Sequence, residues 1–112
     1  GAAEINIGAY SQLSGLAGTL IDLQTRIPAD IDWVLRVDGH TDRIPIKNLK
    51  FASNWELSSA RAISVVKYLI EQGVPANRLV AAGFGEFQPI DSGKGPEALV
   101  RNRRIELKLT QR

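Results

Sequence analysis

Residues 37–66, VDGHTDRIPIKNLKFASNWELSSARAISVV, run from the end of an apparent strand through a polar loop into an amphipathic helix. The passage sets Asp42 in the loop and Arg61 one or two turns inside the helix. A carboxylate and a guanidinium brought together at the mouth of a fold suit a zwitterionic ligand better than a reactive intermediate. Gly39, Thr41 and the first helical turn at residues 54–57 are placed to offer backbone N–H groups beside that pair. The plainer alternative is a surface ion pair or a helix-end contact, worth roughly 0–1 kcal/mol.

Ser53 followed by Glu56 matches a capping box, with Asn54 as the alternative cap. The helix it opens reaches Gln72, and Gly73 suits the left-handed residue after a helix end. At about 100° per residue, Trp55, Ala62, Ile63, Val65, Val66, Leu69 and Ile70 share one stripe. Arg61 falls on its flank, where the stem can lie on apolar neighbours while the charge stays at a rim.

Upstream, Leu13, Leu16, Leu20, Leu23 and Ile27 recur at helical steps over residues 10–26, and Pro28 closes that segment. Gly15 and Gly18 weaken this helix by about 1 kcal/mol each, a cost that close packing on a sheet would offset. Residues 1–8 are small, with no strong period. Residues 31–37, IDWVLRV, read as a strand with Trp33, Leu35 and Val37 on one face. Residues 38–42 leave it as a polar turn, and 43–52 form a loop.

Downstream, residues 74–77 connect to a second strand at 78–84, and Gly83-Phe84-Gly85-Glu86 ends it as a turn. Residues 87–96 are a loop, and Pro96 begins a short helical turn through Leu99. Residues 104–110, RIELKLT, alternate as a half-exposed strand. The order α–β–α–β–β places two helices on one face of a small mixed sheet, a two-layer α/β sandwich of the α+β class. Residues 1–112 are expected to form one domain.

Composition narrows the chemistry. The net charge of +2, from 14 basic and 12 acidic residues, lacks the clustered basic face of a nucleic-acid binder. With no Cys and one His, thiolate sites, disulfides and multi-His metal centres are excluded, and carboxylate-only sites have no support. No G-x-S-x-G elbow is present, and Ser58 and Ser59 fall on a helix. His40 reads as a turn residue bonded to backbone rather than a catalytic base. Residues 101–104, RNRR, read as the start of a strand whose charges pair with nearby acids, with a phosphate clamp as the alternative. No cofactor is expected. No apolar run approaches the roughly 18 residues of a membrane span.

Several motifs occur in order: Gly39-His40-Thr41-Asp42, then NWELSSARA at 54–62, Gly73-Val74-Pro75 with Arg78-Leu79, Gly83-Phe84-Gly85-Glu86, and Asn102-Arg103-Arg104-Ile105-Glu106. As an ordered set they resemble the OmpA C-terminal-like family, the peptidoglycan-binding domains of the OmpA, Pal and MotB type. The resemblance spans residues 32–110, and the NWELS run with the long loop before it is most like the MotB-like branch.

That resemblance implies non-catalytic binding of peptidoglycan at the meso-diaminopimelate of its stem peptide, anchoring a membrane protein or complex to the bacterial wall. It assigns the zwitterionic end to Asp42 and Arg61, with Thr41, Asn54 and Leu57 lining the site. Arg103 and Arg104 would support the site or touch glycan. It implies a periplasmic domain of a Gram-negative envelope protein whose membrane-spanning region lies outside this chain. The family's first strand is expected to precede Ala3 and so to be missing. The alternative is a MotB-like dimerisation or regulatory domain with weak or latent wall binding, in which an exposed sheet edge supports a homodimer. A wall hydrolase has the least support.

Overall fold

The computed structural model describes residues 7–46 and 50–111, and the side chains of residues 7–14 fall outside that description. The irregular start read for residues 1–8 lies mostly outside it, as do the strand expected before Ala3 and the middle of the 43–52 loop.

The described elements are α1 (Ile7–Gln24), β1 (Trp33–His40), α2 (Asn54–Glu71), a single 3-10 turn at Ala76–Arg78, β2 (Leu79–Gly83), α3 (Pro96–Asn102) and β3 (Arg104–Gln111). The sheet order is β2-β1-β3. β1 runs parallel to β2, from Leu35 opposite Leu79 to Gly39 opposite Gly83, and antiparallel to β3, from Trp33 opposite Gln111 to His40 opposite Arg104. The mixed sheet and the helical layer on one face match the expected α+β sandwich.

Ala17 and Leu20 of α1, Leu35 and Val37 of β1, and Ala62, Val65 and Leu69 of α2 join Val74 in one buried cluster. Apolar burial of this kind contributes about 25 cal/mol per Å² removed from water. Gly15 and Gly18 play no part in it. An added Cβ at either would meet nothing within 4 Å, so they do not serve close packing on the sheet.

β1 begins later than the alternation suggested and runs on through Asp38, Gly39 and His40, which were read as a turn. These polar residues stay in the strand because the face away from the helices is an ion-pair ladder. Arg36 grips both oxygens of the fully buried Asp38, at 2.7 and 2.9 Å. Glu106 stands directly opposite Asp38 and binds Arg104, while Lys108 lies 3.9 Å from Asp38 and 3.7 Å from Glu106. Phe84 covers the ladder, stacked on His40 at 5.0 Å and lying under the Arg36 guanidinium at 5.6 Å.

Ser53, not Asn54, caps α2, accepting from the Trp55 amide, and Gly73 follows the helix with φ of 105°. The buried face of α2 is Leu57, Ser58, Ala62, Val65 and Leu69, whereas Trp55, Ile63 and Ile70 are exposed. The apolar stripe is therefore turned from its expected position. The cause is two close approaches. A Cβ on Gly39 would stand 2.1 Å from the Ser58 carbonyl oxygen, and one on Gly83 would stand 2.1 Å from Ser59 Oγ. These glycines let the first turns of α2 lie directly against the ends of β1 and β2.

α3 runs on past Leu99 to Asn102, which fastens its end. The Asn102 side-chain oxygen accepts from the amides of Ile90 and Asp91, and its amide donates to the Asp91 carbonyl. Arg78 lies outside β2, with its guanidinium on the Trp33 ring and bonded to the Trp33 carbonyl.

Candidate functional site

The C-terminal end of β1, the start of α2 and the end of α3 meet around a cavity of about 400 Å³. Thr41, Asp42, Ile44, Pro45 and Ile46 line it from the loop after β1, Asn54, Leu57 and Arg61 from α2, and Arg103 from the end of α3. Six of the seven residues picked out from sequence, Thr41, Asp42, Asn54, Leu57, Arg61 and Arg103, are thus brought around one cavity. Arg104 is not. Its guanidinium turns to Glu106, the Asn102 carbonyl and the Gln88 carbonyl.

The loop carrying Asp42 is held tightly. The Thr41 amide donates to the Gly85 carbonyl at 2.9 Å, and its hydroxyl donates to the Asp42 carbonyl at 2.9 Å. One Asp42 carboxylate oxygen accepts from the Ile44 amide at 2.9 Å, and the other lies 3.5 Å from Arg103. Asn54 reaches across from α2, its amide donating to the carbonyls of Asp42 and Ile44 and to the Glu86 carboxylate. Ser58 completes the frame, accepting from the Gly85 amide at 2.9 Å and donating to the Trp55 carbonyl. The positive φ of Gly85, 63°, lets the chain turn at that point.

Several amides that looked available for a ligand are used by the fold. Thr41 donates to Gly85, Trp55 to the Ser53 side chain, and Leu57 to the Ser53 carbonyl. Gly39 is paired within the sheet on both sides. Side chains, not main-chain donors, therefore dominate the cavity wall.

Arg61 is half-buried, and that burial lowers its pKa most, the Arg103 charge lowering it further while Asp42 opposes both. It remains a cation. The cavity thus carries one carboxylate and two guanidiniums beside the apolar surfaces of Ile44, Pro45, Ile46 and Leu57. Such a wall can receive a ligand with an anionic end, a cationic end and an aliphatic middle.

The long loop after β1 shapes the cavity rim through Ile44, Pro45 and Ile46, a contribution that its length suggests but does not assign to particular residues. Sequence alone does not single out Ser58 and Asn102 as frame residues, since neither is distinguishable from an ordinary helical polar residue without its distant partners. Another constellation went unread. Atoms of Asp38, His40 and Glu106 come within 4.8 Å of one another on the opposite sheet face. Their carboxylates already bind Arg36 and Arg104, with Lys108 beside both, so this group is balanced as ion pairs rather than poised for a cation.

Residues 2–103 match the OmpA family. The chain belongs to that family. It is 43% identical over 77 residues to Motility protein B of Bacillus subtilis, covering 68% of this chain and 30% of that protein. It is 39% identical over 80 residues to Outer membrane protein A of Bordetella avium, covering 71% of this chain and 39% of that one. Among solved structures it is similar to the C-terminal domain of Helicobacter pylori MotB, with a TM-score of 0.84 and 28% identity over 97% of this chain and 78% of the other. The Burkholderia pseudomallei peptidoglycan-associated lipoprotein shares the fold, with a TM-score of 0.80 at 20% identity over 97% of this chain and 83% of the other. The chain spans about a third of the length of the curated relatives it matches.

Proposed function

We propose that this domain binds peptidoglycan without catalysis, taking the zwitterionic end of a stem-peptide diaminopimelate between Asp42 and Arg61. In this reading Asp42 receives the ammonium, and Arg61, assisted by Arg103, receives the carboxylate. Thr41, Asn54 and Leu57 shape the cavity, and Arg104 acts from behind it through Gln88. The observation that carries the reading is the meeting of Asp42, Arg61 and Arg103 in one cavity with an apolar floor. Membership of the OmpA family and likeness to Motility protein B support it. The wider role we propose is an anchor that ties a membrane-borne protein to the wall. Relatives occur in both Bacillus and Helicobacter, so the proposal is not tied to one type of envelope. The H. pylori relative has been solved as a periplasmic domain, which supports a place outside the cytoplasmic membrane.

Co-sedimentation with purified peptidoglycan tests the reading. Asp42→Ala and Arg61→Ala should each abolish it while the far-ultraviolet circular dichroism of the domain stays native. Wall material with lysine in place of diaminopimelate should bind more weakly, because it lacks the carboxylate Arg61 would hold. Equal binding by wild type and both variants would refute the assignment.

A second reading, self-association, is favoured by one observation. β3 has one strand neighbour in the described sheet, and its Leu109 is half-exposed. Such an edge can template a further strand. Light scattering over a concentration series, with and without wall fragments, separates a dimer from a monomeric anchor.

A further inference from the structure

Trp55 and Phe87 stand beside the cavity as an exposed aromatic pair. Their ring centroids are 5.1 Å apart with planes 28° from parallel, and the residues are 50% and 62% exposed. Each ring gives one face to its neighbour and leaves much of its surface in water. Neither joins the buried core.

The pair is held in place by the same residues that build the cavity. Trp55 follows Asn54, which lines the cavity, and Phe87 follows Glu86, whose carboxylate accepts from Asn54. On its other side Phe87 adjoins Gln88, whose carbonyl accepts from Arg104 at 2.8 Å. The Phe87 ring comes within 3.4 Å of the place that a Cβ on Gly85 would occupy. Anchoring on both sides holds the main chain at Phe87 before any ligand arrives, which lowers the ordering cost of a contact made there. Ser53 and Glu56, bonded to one another, flank Trp55 in sequence, and Glu86 precedes Phe87.

We propose that the Trp55–Phe87 pair is a sugar platform that takes an N-acetylhexosamine ring of the wall glycan while the cavity holds the attached peptide. A pyranose shows a ring of C–H groups on one face and hydroxyls at its rim, matching an exposed aromatic face with polar neighbours. Reach is adequate. The third residue of an extended peptide lies at most roughly 10 Å from its point of attachment, and Trp55 is adjacent in sequence to a cavity residue. The proposal rests on the peptidoglycan reading for the cavity but uses residues with no part in holding diaminopimelate.

The test compares three probes: a stem tripeptide ending in diaminopimelate, the same peptide on its disaccharide, and a tetramer of N-acetylglucosamine. Binding is followed by calorimetry and by the Trp55 indole N–H resonance, which is distinct from that of buried Trp33. The disaccharide-peptide should bind about tenfold more tightly than the free peptide, and the sugar tetramer alone should shift the Trp55 signal. Trp55→Leu with Phe87→Leu should remove the tenfold gain and the calorimetric binding of the sugar tetramer without changing affinity for the free peptide, and Trp55→Phe should restore part of both. If the peptide binds but the sugar adds nothing, the platform is refuted and the cavity reading stands. If the sugar shifts Trp55 but the peptide does not bind, the platform stands and the diaminopimelate reading fails. Binding of neither refutes both. A Trp55 signal that moves with protein concentration alone would assign the pair to a contact between copies and overturn the proposal.

Discussion

The side-chain amide of Asn54 donates to the main-chain carbonyls of both Asp42 and Ile44, tying the first residue of α2 to the loop after β1. The loop is thereby indexed to the helix that carries Arg61. The two charged walls of the cavity are set relative to one another by a residue that bears no charge.

Asn54→Ala should therefore loosen the Asp42 loop while leaving the helix cap at Ser53 in place. Removing a buried donor that serves several acceptors costs about 1–3 kcal/mol. Denaturant melts should show a loss of that size, accompanied by weaker wall binding. Asn54→Asp should be worse for binding, because it sets a third carboxylate beside Asp42 and Glu86.

Charge and geometry at the two walls can be separated by conservative changes. Asp42→Asn can keep the acceptor for the Ile44 amide while removing the charge, so the fold should persist as ammonium recognition is lost. Arg61→Lys keeps the charge but loses the planar fork, and should weaken binding about tenfold or more. Titration of a diaminopimelate peptide against each variant gives the comparison.

At Gly39 the limitation is space. A methyl group there would stand 2.1 Å from the Ser58 carbonyl oxygen, a main-chain atom that cannot swing away. Gly39→Ala should force α2 off the sheet, at a cost of about 1–3 kcal/mol or more. Gly15→Ala on α1, where nothing lies within 4 Å, should instead be neutral or stabilising by up to about 1 kcal/mol. Paired chemical melts of the two variants check this.

His40 supplies a pH dependence. Burial foremost, and then the Arg104 charge, lowers its pKa from the ordinary 6.5, with Glu106 and Asp38 opposing and Lys108 reinforcing the shift. Below pH 6.5 the unfolded chain takes up a proton that the folded chain still refuses, so stability falls as the pH falls through that value. Glu106, lowered from 4.5 chiefly by its bond to Arg104, adds its own loss only in more acid solution. Melting temperatures at pH 7.5 and 5.2 should differ for the wild type. The difference should shrink in His40→Phe, which keeps the stack on Phe84 and removes two buried ring nitrogens that lack hydrogen-bond partners. An equal drop in the variant would place the titration elsewhere.

Much of this architecture was legible from local pattern. The alternation of Ile105, Leu107 and Leu109, the Ser53 and Glu56 cap, and Gly73 after α2 each act within a few residues, and each was read in the right place. Features that depend on distant partners were not. Asp38 and His40 look like turn residues until Arg36, Glu106, Arg104 and Lys108 are seen to neutralise the strand's polar face. Trp55 belongs to the apolar stripe by periodicity, but Gly39 and Gly83 draw the Ser58 and Ser59 side of the helix inward and leave Trp55 outside. Of the candidate site residues, Arg104 lies off the cavity because it opens β3 while Arg103 closes α3, and its link to Gln88 crosses a loop.

The position of β1 has a mechanical consequence. The strand lies between β2 and β3, paired from Leu35 to Gly39 on one side and from Trp33 to His40 on the other, and Asp42 follows its end by two residues. A load applied to Asp42 along the strand would pull β1 lengthwise against both ladders at once. Failure by that route requires many hydrogen bonds to yield together, whereas peeling β3 from the edge would break them in turn. Tension that enters at the cavity therefore meets the sheet in shear and not at a peeling edge.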